Sequence, residues 1–431
     1  YERLRQRLWY SPCRGETTMR CKTERIQQDL ESLSRFNLTP GSGCTRLSYT
    51  KEFSGARDYL KQRMAEAGLK VHEDPAGNII GRYPGKVERP AVMTGSHFDT
   101  VFHGGNFDGQ AGVCAALEAA RVMSENHITP YYPIDFIAMP EEEGTRFGGG
   151  LFGSRAICCG VTPDELKEIK DADKITLYQA LKDYGLNPDE IESARKKPED
   201  IAAFIELHIE QGPVLEQNQK DIGIVDAIVS LECYDVLVRG RADHAGTTPI
   251  DMRADALLAA AKAIAAATGR AAACGDGTVI TFGCMDSSPK SANVVPSQVT
   301  FTADCRSSDI RSIRTVMEAF RETLRESTEH CPDLSFEISR TLQADPAAMD
   351  MRLKKIIEDA ADELSLSSMH LLSGAGHDTM NFKNMCPLAM IFVPSKGGRS
   401  HCPEEWTDYR QISDGADVLL RTIIKAAAHE I

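Results

Sequence analysis

No stretch of this 431-residue chain is both long and apolar enough to span a bilayer. The most apolar window, Ala254 to Ala267, is interrupted by Asp255 and Lys262 and reads as a buried or half-buried helix. Tyr1 to Arg20 carries Arg3, Arg5, Arg7 and Arg14 but lacks the apolar segment of a secretory signal. Met19 is therefore read as the natural start and residues 1–18 as an extension. The 13 cysteines form no CxxC pair and follow no regular spacing, and Cys158 and Cys159 are adjacent. An odd count of this kind fits reduced thiols in a cytoplasm and speaks against redox or zinc–thiolate chemistry. Basic charge is in deficit: 49 Lys and Arg against 63 Asp and Glu leave a net charge of −14, which argues against nucleic acid or an anionic membrane as partner. Neither GxSxG nor HExxH occurs, so a serine nucleophile elbow and a zincin helix are unsupported. Internal repeats and low-complexity tracts are missing as well.

What is present is a chain 42% hydrophobic and 26% charged, large enough for two cores. Arg25 to Arg35 and Ala56 to Gly68 read as amphipathic helices. Apolar strand runs at Asn78 to Arg82, Ala91 to Thr94 and Ile134 to Met139 surround an Ala-rich helix, Gly112 to Ser124. Ala203 to His208 and Leu388 to Val393 are further buried strands. This alternation indicates an α/β unit with a mostly parallel mixed sheet flanked by helices. The middle differs: strands at Ile222 to Ser230, Cys233 to Arg239, Thr278 to Cys284, Asn293 to Arg306 and Leu334 to Arg340 are interleaved with helices at Arg253 to Thr268 and Ile310 to Thr328. An antiparallel, ferredoxin-like α+β domain is thus expected at 222–343, inserted between the two parts of the larger domain, 19–221 and 344–431.

Five segments carry the chemistry. In Ser96-His97-Phe98-Asp99, His97 follows a strand, and its side chain shares a face with Asp99, two residues on; one can bind a metal while the other orients it. A lone His of this kind is more often structural. In Gly104-Gly105-Asn106-Phe107-Asp108-Gly109, Asp108 either bridges two cations or caps the helix after it. Glu141-Glu142-Glu143-Gly144 is either a solvated acidic turn or a ligand beside a base. His208 ends a strand, with Gln211 placed in the following loop to bond a ligand. His401 lies in Ser400-His401-Cys402-Pro403-Glu404-Glu405 after the strand Leu388 to Val393. Four of the five segments follow strand-like runs, and that recurrence points to one site at a sheet's carboxyl edge. Gly148-Gly149-Gly150-Leu151-Phe152-Gly153 formally fits GxGxxG but does not directly follow its strand, which argues against dinucleotide binding.

Together, GSHFDTVFHGGNFDG, EEEGTRFGGGLFGSRA, ELHIEQGPVLE, ADHAGTTPIDMRADAL, NVVP, SGAGHDT and SKGGRSHCPEEW resemble the amidase (hydantoinase/carbamoylase) branch of the two-metal aminoacylase/carboxypeptidase superfamily. That branch holds N-carbamoyl-L-amino acid hydrolases, β-ureidopropionases, and allantoate and ureidoglycolate amidohydrolases. The resemblance extends from Gly95 to Trp406. It implies a catalytic α/β domain with an inserted dimerisation domain, and hence a homodimer. It implies one metal held by His97, Asp108 and His208, and a second held by Asp108, Glu143 and His401. The ions would be Zn²⁺ or Mn²⁺, with Co²⁺ or Ni²⁺ also compatible with such ligands. Asp99 would orient His97, and Glu142 would be the general base; a one-residue slip within the triple Glu would select Glu141. Asn293 and Arg306 would bind the substrate carboxylate, with Gln211 and His377 completing the pocket. His244 would reach the partner subunit's site and polarise the scissile carbonyl. Without the resemblance, Arg306 reads as a strand-end ion pair and His244 as a turn histidine.

The implied activity is hydrolysis of the ureido group of an N-carbamoyl-L-amino acid, a small molecule, to the amino acid, ammonia and carbon dioxide. Allantoate or ureidoglycolate hydrolysis is the alternative within the branch. A deacylase or dipeptidase of the superfamily, or a non-catalytic binding protein on the same fold, is the alternative outside it.

Overall fold

In the computed structural model, residues 19–428 are described; the extension expected at 1–18 lies outside them. A large mixed sheet is built around four parallel strands, Ile134–Met139, Ala91–His97, Ile201–Ile209 and Leu388–Val393, adjacent in that order. Nearly every residue of these strands is buried, as expected of parallel strands covered on both faces. Ile79–Tyr83 and Lys70–Glu73 extend the sheet antiparallel beyond Ile134–Met139. Helices Thr23–Leu33, Gln110–Glu125 and Tyr409–Ala426 supply much of the main core through Leu30, Val113, Leu117, Ile412 and Leu419. Because the four central strands run parallel, their carboxyl ends share one edge. His97, Glu141 to Glu143, His208 and the loop leading to His401 all emerge there.

Ile222–Ile228, expected as the first strand of the inserted unit, instead pairs antiparallel with Leu388–Val393 and parallel with Ser368–Ser373 in the large sheet. Its residues Ile222 to Val225 are buried, and a run buried on both sides fits a sheet interior as well as a domain start. The second sheet has four antiparallel strands in the order Ser335–Ala344, Ser230–Arg239, Gln298–Ser307, Val279–Ser288. With helices Ala256–Cys274 and Ile310–His330 the chain order becomes β-α-β-β-α-β. Removing the misplaced strand thus leaves the expected ferredoxin-like arrangement. Its separate core joins Val236, Val238, Phe301 and Phe320 to alanines of the first helix. That helix runs on to Cys274, six residues past its expected end, so by length and composition it could cross a membrane after all. It packs Ala256, Ala259, Ala260, Ala263, Ala267 and Ala271 inward and leaves its other face outside. Short helical segments at Phe152–Cys158, Pro163–Glu168 and Leu177–Tyr184, and the strand Lys70–Glu73, had no counterpart in the sequence reading.

Candidate metal centre and active site

Asp108 is the hub of the site. Its Oδ1 lies 3.4 Å from His97 Nε2 and 3.2 Å from His208 Nε2, and its Oδ2 lies 3.2 Å from His401 Nε2. Glu143 Oε2 is 3.5 Å from the same His401 nitrogen. The groups His97–Asp108–His208 and Asp108–Glu143–His401 each gather their ligand-type atoms within 4.8 Å. All five expected ligands therefore meet, and the two carboxylate oxygens of Asp108 face different histidines. The helix-cap alternative for Asp108 is not realised: the helix Gln110–Glu125 is preceded by Gly109 and has no side-chain cap. Gly109 has φ +69°, and a Cβ on it would sit 2.5 Å from the His97 ring, so the turn that presents Asp108 needs a glycine.

The imidazoles are oriented from behind. His208 Nδ1 donates to the carbonyl of Ile209 at 2.9 Å, and His97 Nδ1 lies 3.3 Å from the carbonyl of Asp99. Each ring thus turns Nε2 toward Asp108, the arrangement typical of ligating histidines. The Asp99 carboxylate meets both the His97 ring and the glutamate turn. It lies 3.6 Å from His97 Nδ1, and its two oxygens accept the backbone N–H groups of Glu142 and Glu143, at 3.1 and 3.2 Å. Asp99 therefore holds the glutamate turn as well as the ring. The triple Glu divides cleanly. Glu141 turns away, accepting from the Phe147 N–H, whereas Glu142 Oε2 lies 3.7 Å from His97 Nε2. Glu141, Gln211 and His401 all have positive φ, between 55° and 57°. Such backbone costs energy at residues other than glycine and clusters where side chains must be aimed.

The electrostatics of the cluster are compatible with a bound cation. Burial, then Asp108, push the Glu143 carboxyl up to about 8, against the lowering pull of His97 and His401. Asp108 raises His401 to about 9, with burial opposing. Burial pulls His97 down, but Glu142, Asp108 and Asp99 more than offset this and leave it well above its usual value. Burial holds Glu142 well above its usual value. Packed together without compensating charge, these acids and imidazoles retain protons that a divalent cation would displace. Glu143 Oε1 and Gln211 Oε1 are buried without hydrogen-bond partners. An orphaned carboxylate oxygen in a His/carboxylate cluster fits a cation ligand, so the donor set suits Zn²⁺ or Mn²⁺.

Other expected residues are near or apart. Gln211 Nε2 donates to Asp108 Oδ2 at 2.6 Å. His377 is buried, its ring 4.5 Å from that of His208 and its Nε2 2.9 Å from Ser373 Oγ; burial, with His208, holds it well below its usual value, hence neutral. His244, Asn293 and Arg306 lie on the inserted domain. His244 is exposed, and its Nδ1 accepts from the N–H groups of Gly246 and Thr247, leaving Nε2–H as donor. Asn293 is exposed, with Oδ1 accepting from Ser291 Oγ. Arg306 is held by both oxygens of Asp304 and donates to the carbonyl of Gly374, three residues before His377.

Sequence reasoning missed two buried acids beside the cluster. Glu206 accepts from Ser96 Oγ and from Thr379 Oγ1, each at 2.6 Å, tying two strand ends to the His377 loop. Asp378 is fully buried, and burial with Glu206 raises it to about 7. The only available signal was adjacency to His208 and His377, which does not separate support from ligation.

Comparison with known proteins agrees with this geometry. Residues 93–425 match the model of Peptidase family M20/M25/M40. The chain belongs to Peptidase family M20/M25/M40. Over 408 residues it is 42% identical to an N-carbamoyl-L-amino-acid amidohydrolase of Paenarthrobacter aurescens, covering 94% of this chain and 98% of that one. It is 36% identical to the allantoate amidohydrolase of Escherichia coli strain K12 over 404 residues, 93% and 97% of the two chains. The crystal structure of a hydantoinase/carbamoylase family amidase from Burkholderia multivorans superposes with a TM-score of 0.88 at 30% identity, covering 96% of this chain and all of that one. As an M20/M25/M40 member with these relatives, the chain is a hydrolase of C–N bonds in a metal-dependent family, and the clustered His, Asp and Glu side chains are able to bind metal.

Proposed function

We propose that this enzyme hydrolyses an N-carbamoyl-L-amino acid to the free amino acid, ammonia and carbon dioxide. The observation carrying the reading is the convergence of His97, His208, His401 and Glu143 on the two oxygens of Asp108, in a chain 42% identical over nearly its whole length to an enzyme of that name. His97, Asp108 and His208 would hold one cation, and Asp108, Glu143 and His401 a second, as Zn²⁺ or Mn²⁺. When bound, such cations acidify water and polarise a carbonyl that two nitrogens make a poor electrophile.

The chain's own residues do the rest. Glu142, half-buried and with its proton affinity raised, takes a proton from the attacking water and delivers it to the leaving nitrogen. Gln211 Oε1, buried and unpaired, accepts from a ureido N–H. His377, neutral and beside His208, completes the pocket wall. Arg306 and Asn293 bind the substrate carboxylate, Arg306 through the guanidinium N–H groups that Asp304 and Gly374 leave free. His244 offers Nε2–H to the scissile carbonyl of substrate bound in the partner subunit's site. Exposed Ile250, Met252, Leu258, Val279 and Met285 on the inserted domain, together with the open edge of the strand Val279–Ser288, support a homodimer through that domain. A cytoplasmic setting is supported by the cysteines, all free among the described residues.

A panel of N-carbamoyl-L-amino acids, N-carbamoyl-β-alanine, allantoate and ureidoglycolate, scored by ammonia release, tests the reading. The highest kcat/KM is expected on a carbamoyl amino acid. A preference for allantoate, the substrate named for the Escherichia coli relative, would replace it.

A further inference from the structure

Glu405 is buried, and its position is unusual. Oε1 accepts the backbone N–H groups of Phe107 and Asp108, at 2.9 and 3.0 Å, and Oε2 accepts from Ser400 Oγ at 2.7 Å. One carboxylate thus joins the loop that presents Asp108 to the loop that presents His401, across almost three hundred residues of sequence. The fit is close: a Cβ on Gly105 would lie 2.1 Å from Glu405 Oε1. Ser400 Oγ also lies 2.8 Å from Asp108 Oδ2. A hydroxyl carries one proton, so Ser400 donates to Asp108 or to Glu405, not to both. When Asp108 Oδ2 is engaged by a cation, Glu405 is the acceptor left for that proton.

We infer that Glu405 is a positioning residue for metal binding, holding the Asp108 and His401 arms in register and drawing the Ser400 proton away from Asp108 Oδ2. The inference rests on the ligand assignment proposed above. Glu405→Gln separates the two functions. Its amide oxygen can still accept from Phe107 and Asp108, but its NH₂ donates to Ser400 and turns the hydroxyl proton toward Asp108 Oδ2, where it competes with the cation.

The test is titration of the metal-free full chain with Zn²⁺ alone against a chelating indicator, with circular dichroism of each metal-free protein. Wild type is expected to bind two Zn²⁺. Glu405→Gln should keep the wild-type spectrum and weaken one of the two sites by about 10- to 100-fold, the effect typical of losing a partner behind a ligand, with turnover largely recovered at saturating Zn²⁺. Ser400→Ala, which cuts the link between the two arms, should weaken the same site, and the double variant should lose less than the two single losses combined, because without the Ser400 hydroxyl the amide has no proton to turn toward Asp108 Oδ2. Unchanged affinity at both sites in Glu405→Gln overturns the inference while leaving the ligand assignment intact. Wild type that binds no Zn²⁺ overturns the assignment itself. If Glu405→Gln fails to fold, Ser400→Ala decides: weakened binding supports the inference and wild-type binding overturns it.

Discussion

The two groups of candidate site side chains in this molecule are held in opposite ways. His97, Asp108, Glu142, Glu143 and His208 project from the edge of a buried parallel sheet. Backbone carbonyls, buried carboxylates and neighbouring strands aim each of them. His244, Asn293 and Arg306 lie on an antiparallel sheet and its loops, with local partners and, for Arg306, one contact to Gly374 in the His377 loop. The first group, with His401, is brought together within one chain. The second becomes a site only when something else meets it, which is the expected state of residues that recognise a substrate or a partner subunit. The candidate centre is assembled from strand ends, which carry His97 and His208, and from the loops that bring Asp108, Glu142, Glu143 and His401 to them.

The largest effect should come from the fixed group. Glu142→Gln is expected to lower kcat by about 10²–10⁴-fold, with metal content by elemental analysis unchanged; retained turnover would remove Glu142 from the base role. Next, His244→Asn should cost about 10²–10³-fold in kcat, as loss of a donor to a developing oxyanion does. Mixing the two inactive variants under exchange conditions should restore activity if His244 serves the partner's site. Failure to complement, with exchange confirmed, would place its action within one chain. Arg306→Lys should raise KM by about 10–100-fold while kcat stays within a few-fold, since a charged hydrogen bond contributes roughly 1.5–3 kcal/mol. A fall in kcat with KM unchanged would contradict a binding role.

The effect that separates the groups most directly concerns pH. Glu143 at about 8 and His401 at about 9 hold protons at neutral pH in the metal-free protein, and a cation must displace them. Affinity should therefore rise with pH, by up to about tenfold per unit for each proton released, and level off above the two values. Zn²⁺ titrations in buffers of different ionisation enthalpy would count the protons. Metal affinity independent of pH between 6 and 8 would show that these groups do not ligate. Arg306 and the other residues of the inserted sheet should leave this profile unmoved.

Much of the centre could be read from the chain because parallel strands announce themselves. Ile134–Met139 and Leu388–Val393 are short continuous apolar runs with boundaries as expected, and an acid or histidine just beyond such a run falls at the ligand-binding edge. Ile222–Ile228 was misassigned because a strand's composition says that it is buried, not which sheet it pairs with. The helices between Phe152 and Tyr184 are short, too short for a 3.6-residue period to rise above a loop background.

By itself, then, the sequence determined most of the central strands, the two-part architecture and which side chains have the chemistry to ligate a cation, because these depend on local periodicity and side-chain chemistry. Only the tertiary structure decided that Glu142 and not Glu141 faces His97, that Asp108 is a hub and not a helix cap, and that Glu405 links its loop to Ser400. Those outcomes turn on backbone conformation at single residues, such as the positive φ of Glu141 and Gly109, and on contacts between segments hundreds of residues apart. Neither leaves a periodic trace in the chain.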